Sequence, residues 1–344
     1  MPTWKIFSRK PASQEIGPVA ETNDDYGLDR IFDGENAAVD IIFVHGLTGN
    51  RRSTWTHGSS VFWPRDLLAI DLPKTRIFTF GYDADVARLF RTAGSNTIRD
   101  HGKSLAQDLA VRRTTTNTAD RPIIFVAHSL GGLVVEQALL IARGSSEAHV
   151  KAFLPATAAI VFMGTPHMGS SKADWATPLT KLLNLLRRSN SAIVATLEPG
   201  SEMLAAIQQD FHTMLEDRRR NEDEWFKIFC FYEEIAYESV GFIVPKTSAI
   251  LREYPHESIH ANHSDMTKFS GKGDSGYIRV EALLRLWIKQ ISEESADGGG
   301  HSEEMQTASQ GKSGGRQGVS NSISSGGGAV FMGNVSAGRD FNYR

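Results

Sequence analysis

The sequence has 344 residues, 40% of them apolar, and a formal net charge of −3. That length fits one large α/β domain, or one domain with appendages, and the charge balance leaves no overall basic field to recruit nucleic acid or an anionic membrane. A single cysteine, Cys230, excludes a disulfide framework and a cysteine-based zinc site. It sits in the apolar run 225–232 and reads as a buried structural thiol. No run reaches the ~18 apolar residues of a spanning helix, and the first ten residues lack the core of a signal peptide, so a cytoplasmic protein is expected.

Residues 1–25 are polar with scattered prolines and read as a loose arm; a domain is expected over 26–292. Its first strand is Val39 to Val44, a continuous apolar run of the kind buried on both faces of a parallel sheet, ending in His45-Gly46-Leu47-Thr48-Gly49. A short helix is suggested around Trp63 to Leu68. A second strand covers Arg76 to Phe80. Residues 97–113 have helical spacing, with Ile98, Leu105, Leu109 and Val111 as inward candidates. The third strand, Pro122 to Ala127, passes at once into a helix over Leu130 to Ala142, with Leu133, Val134, Ala138 and Ile141 on one face. A fourth strand, Ala158 to Met163, ends in Gly164-Thr165-Pro166-His167. A fifth covers Lys227 to Tyr232, and Gly241 to Pro245 reads as a shorter one. A final helix over 277–292 places Ile278, Leu283, Leu284, Trp287 and Ile288 inward. Apolar strands alternating with helices imply an α/β fold with a mostly parallel central sheet covered by helices on both faces. Two stretches break the rhythm. Residues 170–224 form a helical, lid-like insertion, with Leu179, Leu182, Leu183 and Leu186 at helical spacing and Arg187-Arg188 and Arg218-Arg219-Arg220 as solvated helix ends. Residues 293–325 are rich in glycine and serine and read as a flexible linker to a terminal segment, 326–344.

The sharpest feature is the junction Ala127-His128-Ser129-Leu130-Gly131-Gly132. A serine lifted on a tight strand-to-helix turn needs small residues two before and two after it, and Ala127 and Gly131 supply them. The turn places Ser129 at a helix N-terminus, where backbone N–H groups favour developing negative charge. Acyl transfer at such a serine needs two amides for the oxyanion: the N–H of Leu130, and one from the loop after the first strand, with Leu47 chosen and Thr48 or Gly49 as alternatives. It also needs a base. His128, His167, His212, His256, His260 and His263 are available. The order nucleophile, acid, histidine favours His263, with His260 second. The acid is Glu233 or Glu234, at the end of the fifth strand, with Glu233 preferred. No cofactor and no metal site is expected.

His45-Gly46-Leu47-Thr48-Gly49, Trp55, Ala127 to Gly132, Phe162-Met163-Gly164-Thr165-Pro166-His167-Met168-Gly169-Ser170, Phe231-Tyr232-Glu233 and Asn262-His263-Ser264 together resemble the SesB-type, lipase-like α/β-hydrolase domains of fungi over residues 26–290. The resemblance implies an α/β-hydrolase fold, a serine esterase or lipase acting on lipid esters, and a role as cell-death effector in self/non-self recognition. Its Phe-Tyr-Glu element points to Glu233. No NACHT domain and no Walker loop is present, because Gly271-Lys272-Gly273-Asp274 lacks the spacing; a NACHT-type receptor on another chain is the implied partner. The segment Ala329 to Tyr343, without proline and with little net charge, suits cross-β stacking and is similar to short amyloid signalling motifs, which implies self-assembly and a membrane surface as a site of action.

Overall fold

The structure, a computed structural model, describes residues 25–47, 49–58, 60–84, 97–167, 181, 198–220 and 225–307, with backbone alone for Thr97, 198–201 and 295–307. The chain divides into two units, Met1–Ser295 and Ala296–Arg344. The first holds the strands β1 (Gly27–Asp33), β2 (Val39–Val44), β3 (Thr56–His57), β4 (Val61–Phe62), β5 (Thr75–Gly81), β6 (Ile123–His128), β7 (Thr157–Met163), β8 (Lys227–Glu233) and β9 (His256–Ile259). Seven of them form one sheet in the order β1-β5-β2-β6-β7-β8-β9. β1 is antiparallel to β5, and every other neighbouring pair is parallel. The short β3 and β4 pair apart from it. The longer helices are α1 (Thr97–Thr115), α2 (Gly131–Gly144), α3 (Glu198–Arg219) and α4 (Ser275–Thr307).

The unbroken apolar strands follow from burial on both faces. Ile42, Val44, Phe125, Ala127, Ile160 and Phe162 point into one core, against α1, α2 and α3. Their chain neighbours Ile41, Phe43, Ile124, Val126 and Val161 point into the other, against Trp55, Trp63 and the face of α4 carrying Val280, Leu284 and Trp287. Side chains alternate along a strand, so six-residue apolar runs serve two cores at once. Asp40 interrupts β2 and is still buried. Arg76 from β5 grips both its carboxylate oxygens at 2.9 and 2.7 Å, and Arg113 from α1 adds a contact at 2.7 Å.

Several elements depart from the sequence reading. Gly241 to Pro245 is not a strand. Gly241 has φ +75° and closes a turn with Tyr237, while Ile243 and Val244 are buried as irregular chain. The edge strand is β9 instead, a four-residue segment mostly exposed. Val111 and Ile278 are exposed rather than inward, because they sit just off the apolar stripes of α1 and α4. α4 runs to Thr307, past the expected stop at 292 and into the stretch read as a linker, through Gly298-Gly299-Gly300, which helix propensity disfavours. Arg218 is buried, with its guanidinium 4.2 Å from the centre of the Phe226 ring, so it is no solvated helix end. Within the insertion, Leu204, Ile207 and Phe211 of α3 join the core over α2. Residues 168–180 and 182–197, with the four leucines and Arg187-Arg188, lie outside the described residues, as do 308–344.

Candidate functional site

Parallel register brings the C-terminal ends of β2, β6, β7 and β8 to one edge of the sheet: Val44 lies beside Ala127, Ala127 beside Phe162, and Met163 beside Phe231. The residues that follow these positions face one another there. Ser129, directly after β6, has φ +53°, a left-handed conformation that costs a non-glycine residue on the order of 1–2 kcal/mol. The surroundings impose it. Its N–H donates to the Met163 carbonyl at 2.9 Å, and its own carbonyl accepts from Gly132 N–H at 3.0 Å. A Cβ on Gly131 would lie 2.2 Å from the His45 carbonyl oxygen, and one on Gly46 would lie 2.6 Å from Ser129 Cβ. Both glycines are required because the loop after β2 and the turn after β6 touch backbone to backbone.

His263 lies in the loop after β9. Its Nε2 is 3.0 Å from Ser129 Oγ, within hydrogen-bond reach. Its backbone carbonyl accepts from His128 Nε2 at 2.9 Å. His128 thus faces away from Ser129 and serves the loop. Burial, followed by the neighbouring His128, holds the His263 imidazole well below its usual pKa. On its far side, Nδ1 is 3.8 Å from Glu233 Oε1, longer than a hydrogen bond. Glu233 is buried at the end of β8, and its Oε1 accepts the Val244 N–H at 2.6 Å. Burial pushes this carboxyl up to about 7, against the pull of the Val244, Ile243 and His263 backbone amides and the charge of Lys181. The fold therefore gathers Ser129, His263 and Glu233.

The alternatives separate from them. Glu234 is at the surface, 3.5 Å from an exposed His260. His167 turns over the face of β7, its ring 4.6 Å from that of Phe162, with Nδ1 3.4 Å from Glu136 of α2. Glu136 also accepts from Gln208 Nε2 of α3. Burial lowers His167 to about 3 and raises Glu136 well above its ordinary value, which favours the neutral form of each, and their contacts join α3 to α2. A cavity of about 370 Å³ lined by His167, His212, Thr247, Leu251 and Tyr254 includes none of Ser129, His263 and Glu233.

Of the amides expected for an oxyanion, that of Leu130 heads α2, whose first turn returns the N–H groups of Gly132, Leu133 and Val134 to Ser129 and Leu130. Leu47 is partly buried in the loop beside it. Gly49 N–H turns back to the Gly46 carbonyl at 3.2 Å, which takes it out of contention. Thr48 lies outside the described residues. The sequence reading missed what His45 does. Its Nε2 accepts the Tyr82 N–H at 3.2 Å, so Nδ1 carries the proton and donates to the Gly46 carbonyl at 2.9 Å, while Tyr82 Oη donates to the His45 carbonyl at 2.7 Å. This neutral histidine, lowered to about 4 chiefly by burial, ties the loop after β2 to the end of β5. Its place before Gly46 was the only signal. Among the described residues no His, Cys, Asp and Glu cluster is arranged to hold a metal ion, and no helix is long and apolar enough to cross a membrane. Cys230 is buried and its thiol is pushed up to about 12 by burial.

The profile described as the alpha/beta hydrolase family matches residues 41–306. The protein SERAC1 of Bos taurus is 27% identical over 266 residues, which cover 72% of this chain and 38% of that one. SERAC1 of Homo sapiens is 27% identical over 270 residues, with the same shares. The chain thus spans little more than a third of the length of these relatives. Among solved structures, the mature lipase BlEst2 of Bacillus licheniformis aligns with a TM-score of 0.47 and 17% identity over 76% of this chain and 97% of that one.

Proposed function

As the chain belongs to the alpha/beta hydrolase family, we propose that it is a serine carboxylic-ester hydrolase in which Ser129 is the nucleophile, His263 the general base and Glu233 the acid. The observation that carries this reading is the 3.0 Å contact between Ser129 Oγ and His263 Nε2 at a strained turn. In the first half-reaction Ser129 Oγ attacks the ester carbonyl carbon while its proton passes to His263 Nε2. The carbonyl oxygen becomes an oxyanion, held by the N–H groups of Leu130 and Leu47. Collapse of the tetrahedral species breaks the bond to the alkoxy oxygen, which leaves as the alcohol with the proton from His263. Water, deprotonated by the same imidazole, then attacks the acyl-serine and releases the carboxylic acid. Glu233 orients Nδ1–H and stabilises the imidazolium. Its 3.8 Å gap closes as that charge forms, as catalytic contacts commonly tighten beyond their resting geometry.

The finer reading is a lipase or phospholipase-like effector of fungal cell death. It is a cytoplasmic protein brought to a membrane surface on activation, with a NACHT-type receptor as partner through residues 326–344. Its support is the SesB-type resemblance and the cross-β character of Ala329 to Tyr343, which would raise local concentration by templated assembly. A fluorophosphonate should label wild type and not Ser129→Ala. Wild type should also release fatty acid from phospholipid liposomes, faster with preformed fibrils of the 326–344 peptide. No labelling with or without fibrils rejects the nucleophile. Labelling without release from liposomes points to a thioester or a soluble ester. Cell killing retained by Ser129→Ala would mark the domain as an interaction module.

A further inference from the structure

We infer that Tyr237 is a positioning residue for the base, a phenolic clamp that fixes the loop carrying His263 and couples it to the acid; this rests on the assignment of Ser129, His263 and Glu233 above. After Glu233 the chain makes a turn in which Tyr237 N–H donates to the Gly241 carbonyl at 3.0 Å and Gly241 N–H donates back at 2.8 Å. The turn delivers the phenol to the two residues on either side of His263. Tyr237 Oη lies 2.9 Å from Asn262 Oδ1, 2.8 Å from Ser264 Oγ and 3.2 Å from Ser264 N. A phenol has one proton and two lone pairs. Donation to Asn262 Oδ1, which has no proton of its own, leaves the oxygen to accept from the Ser264 hydroxyl and the Ser264 N–H. Every hydrogen-bonding position of the phenol is then used.

The partners are themselves braced. Asn262 Oδ1 also accepts the Asp265 N–H and shares the Ser264 N–H with Tyr237 Oη, each at 3.1 Å, and Asn262 Nδ2 donates to Asp265 Oδ2 at 2.8 Å. On the other flank, the N–H groups of Glu234 and Ile235 donate to the Ala261 carbonyl at 3.1 and 3.0 Å. The same 234–245 connection supplies the Val244 N–H that holds Glu233 Oε1. One loop therefore grips the acid through Val244 and the base through Tyr237. The clamp matters because the direct acid–base contact is long: with Nδ1 3.8 Å from Glu233, the carboxylate alone does not set the imidazole, and the backbone on both sides of it must.

Misplacement of a catalytic group by about 1 Å can cost on the order of 100-fold in rate. Tyr237→Phe keeps the ring and removes the clamp. With a soluble p-nitrophenyl ester, and rates expressed per phosphonate-titrated serine, Tyr237→Phe should lower kcat about 10- to 100-fold with KM unchanged, and slow fluorophosphonate labelling by the same factor. Ser264→Ala, which removes one of the three contacts, should fall between, and Ser264→Thr, which keeps the hydroxyl, should recover wild-type kcat. A residue that only supported folding would reduce the titratable fraction and leave kcat per titrated serine untouched, and that result overturns the clamp. If Tyr237→Phe does not fold, the Ser264 pair decides alone, and equal kcat for its two variants overturns it. Wild type inert to the phosphonate rejects the hydrolase assignment instead, and the clamp with it.

Discussion

Glu233 and His263 face each other across 3.8 Å, and burial shifts each toward its neutral form. The two shifts have different consequences for rate. A histidine kept well below its usual pKa is already the free base at neutral pH, so its own titration limits the reaction only on the acid side of 6.5. A carboxyl raised to about 7 ionises in the working range. Only its carboxylate stabilises the imidazolium of the transition state, so kcat/KM should rise as pH passes through about 7. Glu233→Gln keeps the shape and removes the charge. It should lower kcat about 100-fold or more at pH 8, as loss of a triad carboxylate does, and should abolish the rise near pH 7, whereas Glu234→Gln should leave both unchanged. A pH profile of kcat/KM for the three proteins checks this, and a limb near 7 that survives in Glu233→Gln assigns it to another group.

At the scale of elements, the contact between the β2 loop and the β6 turn leaves no room for a side chain. Gly131→Ala would put a Cβ 2.2 Å from the His45 oxygen and 2.6 Å from that of Val44, both backbone atoms that cannot swing aside. Overpacking of this kind typically costs about 1–3 kcal/mol, and relieving it must move either Ser129 or the Gly46–Leu47 backbone. Urea unfolding should show a loss of that order, with a fall in kcat beyond the fall in folded fraction; a variant as stable and active as wild type would mean that the two backbones are farther apart. That glycine was legible beforehand because steric demand at a tight turn is local and written in adjacent residues. β2, β5, β6, β7 and β8 were legible for a related reason: two-sided burial makes a continuous apolar run. β9 was not, since His256-Glu257-Ser258 is polar, with its first two residues exposed, and becomes a strand only by pairing with Cys230 to Glu233. The run Phe242-Ile243-Val244 misled in the opposite sense. Ile243 and Val244 are apolar because they are buried, Val244 against the acid that its N–H holds, while Phe242 is exposed, and Gly241 breaks the extended geometry before them. In the site itself, chain order pointed to His263 and left Glu233 and Glu234 open. The Phe-Tyr-Glu resemblance leaned to Glu233, and the parity of β8, which buries one carboxylate and exposes the next, separates them in space.

Over the whole first unit, the titration of buried groups sets how stability responds to acid. His45 and His128 are lowered to about 4 and His167 to about 3, each chiefly by burial, and His263 is lowered as well. For each, the folded pKa lies below the unfolded 6.5, so between those values the unfolded chain binds a proton that the folded chain does not. Stability from these groups is complete above 6.5 and falls as pH drops through that window, by about 1.4 kcal/mol per pH unit per proton. Glu136 and Glu233 act in the opposite direction. Their folded pKa lies above the unfolded 4.5, so their contribution is complete below 4.5 and is lost as pH rises toward the raised value, about 7 for Glu233. Between 4.5 and 6.5 these histidines, joined by His101 and His212, which burial also lowers, outweigh Glu136, Glu233 and Asp108, whose carboxyls burial raises. The urea midpoint should therefore fall with a clear slope as pH drops from 6.5 to 5. His167→Gln should flatten that slope by about one proton without affecting the serine chemistry, because His167 faces Glu136 and α3 rather than Ser129. A midpoint that stays level down to pH 5 would mean that water reaches these imidazoles in the folded state.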